Sequence, residues 1–190
     1  MSRALNVIIE FKCQDEWKTF NPVIDGKQFK FTYFQGCIRD FFSEEVPILG
    51  YPKNMSSESK KILDEEFDYC GEQTYINHNE LNVLLDKKIE HYKARLQKAQ
   101  CDLSICNKLD SVMSELMKKE NKDLKELQKL TIEMQEVFDT NDTQDDIDYY
   151  EETLENLSYI KEHFTVLSDM VNIIYDLYGE TEVRFITNIC

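Results

Sequence analysis

Residues 72–178 contain neither glycine nor proline, a run of 107 positions in a chain of 190. Because glycine and proline are the residues that most often end helices, this run favours long uninterrupted helices. The chain nevertheless closes on a β-like segment, EVRFITNIC, at residues 182–190. The sequence therefore predicts a mostly helical protein that also forms a sheet.

The charge and composition limit the classes of partner. The chain has 22 Lys and Arg against 37 Asp and Glu, a net charge of −15, which repels nucleic acids, anionic membranes and polyphosphates at long range. Hydrophobic residues make up 42%, so we expect a folded core. The six cysteines have no metal-binding spacing and no apolar stretch is long enough to cross a bilayer. We expect a soluble cytoplasmic protein with reduced thiols.

Two segments near the chain ends alternate apolar and polar residues, as strands do. ALNVIIEFK, residues 4–12, predicts a half-buried strand, and EVRFIT predicts a second that pairs with it. Between them and the long helical run we expect a loop around Trp17, a turn at Asp25–Lys27, a helix over Thr32–Phe42 and a helix from Ser56 or Ser57 to Phe67.

From Asn77 onward apolar residues recur at alternating spacings of four and three. Thirteen of the sixteen positions in this register from Leu85 to Phe138 are apolar, the pattern of a coiled coil or helical hairpin. A second series runs from Ile147 to Tyr178, and Gly179 is a typical residue after a helix end.

The lengths of the two series constrain how the helices return. At about 1.5 Å per residue, one helix over residues 78–138 would be about 90 Å long, whereas the last helix reaches about 52 Å. A turn near Lys118–Asp123, where Glu120 interrupts the apolar series, would allow a three-segment arm that returns to the sheet. The alternative is one long helix used for oligomerisation.

The predicted fold class is therefore α+β. A small sheet pairs the N- and C-terminal strands, and a long antiparallel, coiled-coil-like helical arm is inserted between them. The predicted base comprises residues 1–76 and 180–190, and the predicted arm comprises residues 77–179.

No arrangement typical of catalysis or metal binding occurs in the sequence. His78, His91 and His163 belong to no metal-binding motif, and Cys101 and Cys106 are five residues apart, off a common helical face. There is no GxSxG, phosphate-binding loop or GxGxxG. We therefore expect a protein that is not an enzyme and that needs no metal or cofactor.

Aromatic residues crowd the first 75 positions. Most should form the core, because a small base has few other bulky side chains to bury. The loops between them also hold polar side chains, and rings with polar tips could bracket a small ligand. The candidate ligand-binding residues are Tyr33, Arg39, Tyr51, Gln73 and Tyr75.

The segment from Asp139 to Glu155 holds eight acidic residues and no basic one. One interpretation is a solvated helix start, where acidic side chains interact favourably with the helix dipole. The other is a surface that imitates nucleic-acid phosphates or docks on a basic partner. The candidate partner-binding residues are Asp142, Asp145, Asp146, Asp148, Glu151 and Glu152.

Five segments, in order, resemble an uncharacterised family of bacteriophage and prophage proteins. They are LNVIIEFK followed by a tryptophan, YFQGCIRDFF, GYPKNMSSE, GEQTYINHNEL and VRFITNIC. The corresponding family segments are a strand ending near a tryptophan, an LFAILAGVRN-like helix, a GLPxDVS loop, an HSHSWLTLEEL-like stretch and a VRIVFWFD-like strand. The resemblance covers roughly residues 1–85 and 180–190.

Individual positions match two of these motifs. Gly50, Pro52, Asn54 and Ser56 match the loop, and Tyr75, Asn77, Glu80 and Leu81 match the Trp, Thr, Glu and Leu of the later stretch. Gly71 and Gln73 stand where the family has two histidines, so a metal or acid-base role of those imidazoles is not expected here.

The resemblance implies a phage-encoded, non-catalytic protein that counters antiviral defence in the host cytoplasm. In one version the aromatic base sequesters a nucleotide-derived immune signal. In the alternative the acidic arm inhibits a host defence protein, as anti-CRISPR proteins and nucleic-acid mimics do. We expect no direct binding to nucleic acid or membrane, and homo-oligomers formed through the arm.

Overall fold

The computed structural model describes residues 4–24, 27–28, 31–66, 72–119 and 140–189. Its strands are β1 (Leu5–Cys13), β2 (Glu16–Phe20), β3 (Val23–Ile24), β4 (Lys27–Gln28), β5 (Phe31–Tyr33), β6 (Glu72–Asn77) and β7 (Val183–Ile189). Its helices are α1 (Gly36–Glu45), α2 (Ser57–Glu66), α3 (His78–Lys119) and α4 (Thr140–Tyr178). The predicted α+β fold class is confirmed.

The N- and C-terminal strands lie side by side in one antiparallel sheet. The strand order is β2-β1-β7-β6, and β5 pairs with the end of β1 that β2 leaves free. β1 and β7 pair from Leu5 opposite Ile189 to Phe11 opposite Val183, which confirms that the two chain ends share a sheet. β3 and β4 form a separate hairpin; Asp25 and Gly26, in the predicted turn between them, lie outside the described residues.

Two local predictions beside the sheet were wrong, and one strand was missed. Trp17, expected in a loop, lies in β2. Residues 32–33, expected in a helix, belong to β5 because this segment pairs with Leu5–Val7, and α1 begins only at Gly36. β6 was not expected, because its pairing partner β7 lies more than a hundred residues further along the chain.

β1 was also expected to be half-buried, but both of its faces are covered. Every residue from Leu5 to Phe11 is buried, and so is every residue of β7. Central strands with layers on both sides lose the alternation of buried and exposed positions. The N- and C-terminal strands are therefore central strands of the sheet, and other elements cover both of their faces.

Helices cover one face of the sheet. On this face Phe11 contacts Tyr178 of α4 with ring centroids 4.6 Å apart, and Phe185 meets the His78 ring of α3 at 5.8 Å. α1 closes the same core, because Phe42 contacts Phe164 edge to face at 5.5 Å. The α4 residues buried here recur at helical spacing: Phe164, Leu167, Val171 and Ile174.

α2 and the loop before it cover the opposite face. Ile8 of β1 and Ile186 of β7 form a buried cluster with Leu63 of α2. Tyr51, Met55, Ile62 and Tyr75 pack around that cluster. The sheet is therefore enclosed between one layer formed by α1, α3 and α4 and a second layer formed by α2 and the loop before it.

The described chain divides into two compact units, Met1–Leu85 with Tyr159–Cys190, and Asp86–Ser158. In the second unit α3 packs on α4 through Ala99, Ile147 and Tyr150, with Tyr92, Leu96 and Leu103 around them. This contact uses the predicted four-three apolar series. The possible turn near Lys118–Asp123 and the rest of that series, to Phe138, lie outside the described residues, and the predicted boundaries at residues 77 and 179 stay a prediction.

A buried ion pair links β1 to β7. Glu10 and Arg184 are directly opposite each other, with side chains 0% and 4% exposed. Arg184 donates to Glu10 Oε2 from Nε at 2.9 Å and from Nη2 at 2.6 Å, and Glu10 Oε1 accepts from the Ser56 backbone N–H at 2.8 Å. Such a pair is strongly destabilising to break, because one charge is then left buried without its partner.

We predict that Glu10→Leu or Arg184→Met alone lowers the free energy of unfolding by about 3–5 kcal/mol. The double variant should lose less than the sum of the two, because the second substitution removes the charge that the first leaves unpaired. Urea titration followed by circular dichroism measures this coupling.

The matched control is the exposed pair Lys12–Glu182, which joins Nζ to Oε1 at 3.0 Å beside the same strands. Lys12→Met and Glu182→Leu should cost far less, because solvent screens both charges. Equal losses from the buried and exposed pairs would contradict the prediction.

Candidate functional site

Three of the five predicted ligand-binding residues lie together on the α2 side of the sheet. Tyr51 and Tyr75 pack on the same buried cluster, and the Tyr51 hydroxyl accepts from Asn188 Nδ2 at 2.8 Å. Gln73 is opposite Asn188 in the β6–β7 pairing, and its carbonyl accepts from the Gly50 N–H at 3.0 Å. These residues hold the loop before α2 against the sheet.

The other two predicted ligand-binding residues lie elsewhere. Tyr33 pairs with Leu5 on the helical side of the sheet, where its ring contacts Phe164 at 5.8 Å and burial raises its pKa to about 12. Arg39 of α1 donates to the Asp40 carboxylate from Nε at 2.8 Å and from Nη2 at 2.6 Å. The five residues therefore do not line a single pocket.

A polar network that the sequence reasoning missed surrounds the Glu10–Arg184 pair. The Arg184 guanidinium carbon lies 3.7 Å from the centre of the Trp17 ring, and Nη1 donates to Asn54 Oδ1 at 2.9 Å. The Arg184 guanidinium therefore contacts Trp17 and Asn54 in addition to Glu10. The available signal was one acidic residue, Glu10, and one basic residue, Arg184, each between two apolar neighbours in a predicted strand, at positions that alternation assigned to solvent.

An open cleft of about 720 Å³ lies at one end of the sheet, where three chain connections meet. The β1–β2 turn supplies Gln14 and Asp15, which have positive φ angles of 54° and 66°. The β6–α3 junction supplies Asn77–Glu80, and the α4–β7 connection supplies Tyr175 and Glu180–Val183. Left-handed backbone is costly at residues other than glycine, asparagine or aspartate, so the cleft has a strained rim at Gln14.

The charge lining this cleft is predominantly negative. The carboxylates are Asp15, Glu80, Glu180 and Glu182, and Lys12 is the ammonium among the lining residues. A hydrogen bond and the charge of Glu182 raise the Lys12 pKa, so Lys12 stays protonated and paired. An anionic ligand would meet this excess of carboxylates, which favours neutral or cationic groups instead.

His78 lies at the inner wall of the cleft, at the first residue of α3. Its Nε2 is 3.0 Å from Asn82 Nδ2 and 3.2 Å from Ser168 Oγ. Because the Asn82 amide nitrogen donates, Nε2 accepts and the neutral ring carries its proton on Nδ1. Among the described residues Nδ1 has no hydrogen-bond partner, although it is buried. Burial lowers the His78 pKa, so the folded protein favours the neutral ring.

The acidic candidate residues lie in the second unit, on the first turns of α4. Five of them are exposed: Asp145, Asp146, Asp148, Glu151 and Glu152. Asp148 accepts from Gln144 Nε2 at 2.7 Å, within the same helix. Asp142 lies in α4, and its side chain is outside the described set. The five carboxylates surround the buried Ile147 and Tyr150, so the helix presents its apolar side to α3 and its acids to solvent.

Comparison with known proteins gives no match: no protein-family model, curated protein or solved structure aligns significantly with this chain. Across the described residues, no cluster of three or more His, Cys, Asp or Glu side chains could hold a metal ion. No described helix is both long and apolar enough to span a membrane. Membership of the phage family and the absence of catalysis stay predictions.

We predict that acid destabilises the protein partly through His78. Its pKa is about 6.5 in the unfolded chain and lower in the folded one, so the unfolded state binds the proton first. The stabilising contribution is complete above pH 6.5 and is lost as the pH falls through the folded pKa. His78→Gln should therefore lose less stability than the wild type between pH 7 and pH 5, measured by urea titration at each pH.

The matched control is His91→Gln, which changes an exposed histidine in the second unit. It removes one histidine outside the cleft and therefore shows how much of the change follows from losing any histidine. Identical slopes for His78→Gln and the wild type would show that His78 does not contribute.

Proposed function

We propose that this chain is a non-catalytic binding protein, encoded by a phage, that counters host defence by docking an acidic helical face on a basic protein surface. The resemblance to phage and prophage proteins suggests the biological setting. The observation that supports the docking role is the exposure of five carboxylates, from Asp145 to Glu152, on consecutive turns of α4. With a net charge of −15, the protein would also be steered toward basic surfaces over long distances.

A second candidate function is sequestration of a nucleotide-derived immune signal. The grouping of Tyr51, Gln73 and Tyr75 on one side of the sheet supports it. The positions of Tyr33 and Arg39 weigh against it, and so do the carboxylates of the open cleft. We therefore place acidic docking first.

We predict that Asp145→Asn/Asp148→Asn/Glu152→Gln abolishes the anti-defence activity. These residues recur at spacings of three and four, so the variant removes charge from one helical face. The measurement is the plating efficiency of a defence-sensitive phage on hosts that each carry one defence system, with and without this protein. The wild type should raise plating at least tenfold with one system, and the triple variant should not.

The control Glu44→Gln/Asp64→Asn/Glu65→Gln removes three negative charges at exposed positions on α1 and α2. It should retain the wild-type effect. If both triple variants fail equally, net charge rather than the α4 face is responsible. If both remain fully active, the acidic face is not the docking surface.

The sequestration candidate predicts thermal stabilisation by its ligand. A tight ligand present at about 100 times its Kd stabilises the folded state by about 2.7 kcal/mol, which corresponds to a rise in Tm of several degrees. Differential scanning fluorimetry with cyclic nucleotides and ADP-ribose derivatives measures this. A shift that Tyr75→Ala abolishes would favour sequestration, and no shift across the panel would reject it for those ligands.

A further inference from the structure

α4 has a second apolar series that the fold does not bury. Val166, Met170, Ile173 and Leu177 follow one another at spacings of four, three and four. Val166, Ile173 and Leu177 are 45%, 42% and 65% exposed, and Met170 is partly buried. We call these four residues the outer stripe. Single exposed apolar residues are common, whereas four aligned over three helical turns form a continuous surface.

The outer stripe is distinct from the buried series on the same helix. Phe164, Leu167, Val171 and Ile174 face the core, and the stripe lies about 100° around the helix axis from them. The stripe extends for about 17 Å, the length over which two helices can pack side by side. Its four-three spacing is the one that a second helix can match by inserting side chains between successive turns.

An acidic row borders the stripe. Asp169 and Asp176 immediately precede Met170 and Leu177 of the stripe. Glu162 precedes His163, which continues the same spacing by three residues before Val166. All three acidic residues are exposed. In the described parts of the chain none of them takes part in an ion pair. In paired helices these flanking positions contact charged residues of the partner helix and determine which partner is preferred.

We propose that the outer stripe is a docking surface for an amphipathic helix of a protein partner that carries Lys or Arg along one side. The apolar side of that helix would cover the stripe, and its basic side would lie against Glu162, Asp169 and Asp176. This surface lies in the first unit, and the proposal stands whether or not the acidic face at residues 145–152 binds anything.

The charge distribution disfavours a second copy of this chain as the occupant. In an antiparallel pair the two acidic rows would face each other, and like charges in that position repel. In a parallel pair each row would face the positions occupied by Ile160, Leu167 and Ile174, which are buried in the protein's own core. A basic helix satisfies both the apolar and the charged parts of the surface.

The test uses the full-length protein and two synthetic helical peptides of three heptads. Both have leucine at the core positions; one has lysine at the flanking positions and the other has glutamate. Fluorescence anisotropy should show that the lysine peptide binds at least tenfold more tightly. In the Glu162→Lys/Asp169→Lys/Asp176→Lys variant the preference should reverse.

Ile173→Asp separates docking from general attraction to an acidic protein. This change adds negative charge, so non-specific attraction predicts tighter binding of the lysine peptide, whereas docking on the stripe predicts binding at least tenfold weaker. Asn172→Asp adds the same charge at an exposed position outside the stripe, on the helical side that carries Asp169 and Asp176, and should leave the affinity for the lysine peptide unchanged or higher.

Three outcomes would overturn the proposal. The first is equal affinity for the two peptides, and the second is unchanged or tighter binding to Ile173→Asp. The third is a dimer of the protein alone, detected by analytical ultracentrifugation, that Ile173→Asp dissociates and Asn172→Asp does not. That result would identify a second copy as the occupant.

Discussion

The antiparallel pairing of β1 with β7 is the constraint on which the rest of the structure depends. It joins strands at opposite ends of the sequence, and Glu10 bonds to Arg184 across a separation of 174 residues. Closing so long a loop costs conformational entropy, so the pairing needs compensation from the apolar surface that both faces of these strands bury. The helical segments between the strands must start and finish at the same sheet.

The connections beside β7 meet this requirement locally. β6 pairs with β7 and leads directly into α3 at His78, while α4 ends at Tyr178 and the chain re-enters the sheet at Val183. Gly179, with φ of 80°, makes the change of direction that a side chain would hinder. The start of α3 and the end of α4 therefore both adjoin the sheet, as the ring contacts of His78 with Phe185 and of Tyr178 with Phe11 show.

Whether an element could be predicted depends on how far apart in the sequence its interacting residues lie. The terminal strands and long helices were predictable because their apolar patterns are local and repeated. β6 and the exposure of β1 depend on partners distant in sequence, and no local pattern reports them. The separation of Tyr33 from the other candidate residues was not foreseen for a related reason: assigning residues 32–33 to a helix hid the pairing with β1 that places this ring on the other face.

Glu10 and Arg184 are a second case in which the local sequence pattern gives the wrong burial. Alternation placed Glu10 and Arg184 outside, yet both are buried because each neutralises the other and Trp17 covers the guanidinium. The strand register sets Glu10 directly opposite Arg184, from which a mutually neutralising pair can be inferred. That inference becomes possible only after the pairing of the terminal strands has been established.

α4 carries more apolar side chains than its contacts with the core require. The core uses Phe164, Leu167, Val171 and Ile174, whereas Val166, Ile173 and Leu177 are exposed. Exposed apolar surface favours aggregation, and a net charge of −15 counteracts it by keeping copies apart. The same charge leaves the surface open to basic partners. Apolar recognition and like-charge repulsion together restrict the acceptable occupants to a far narrower class than either property does alone.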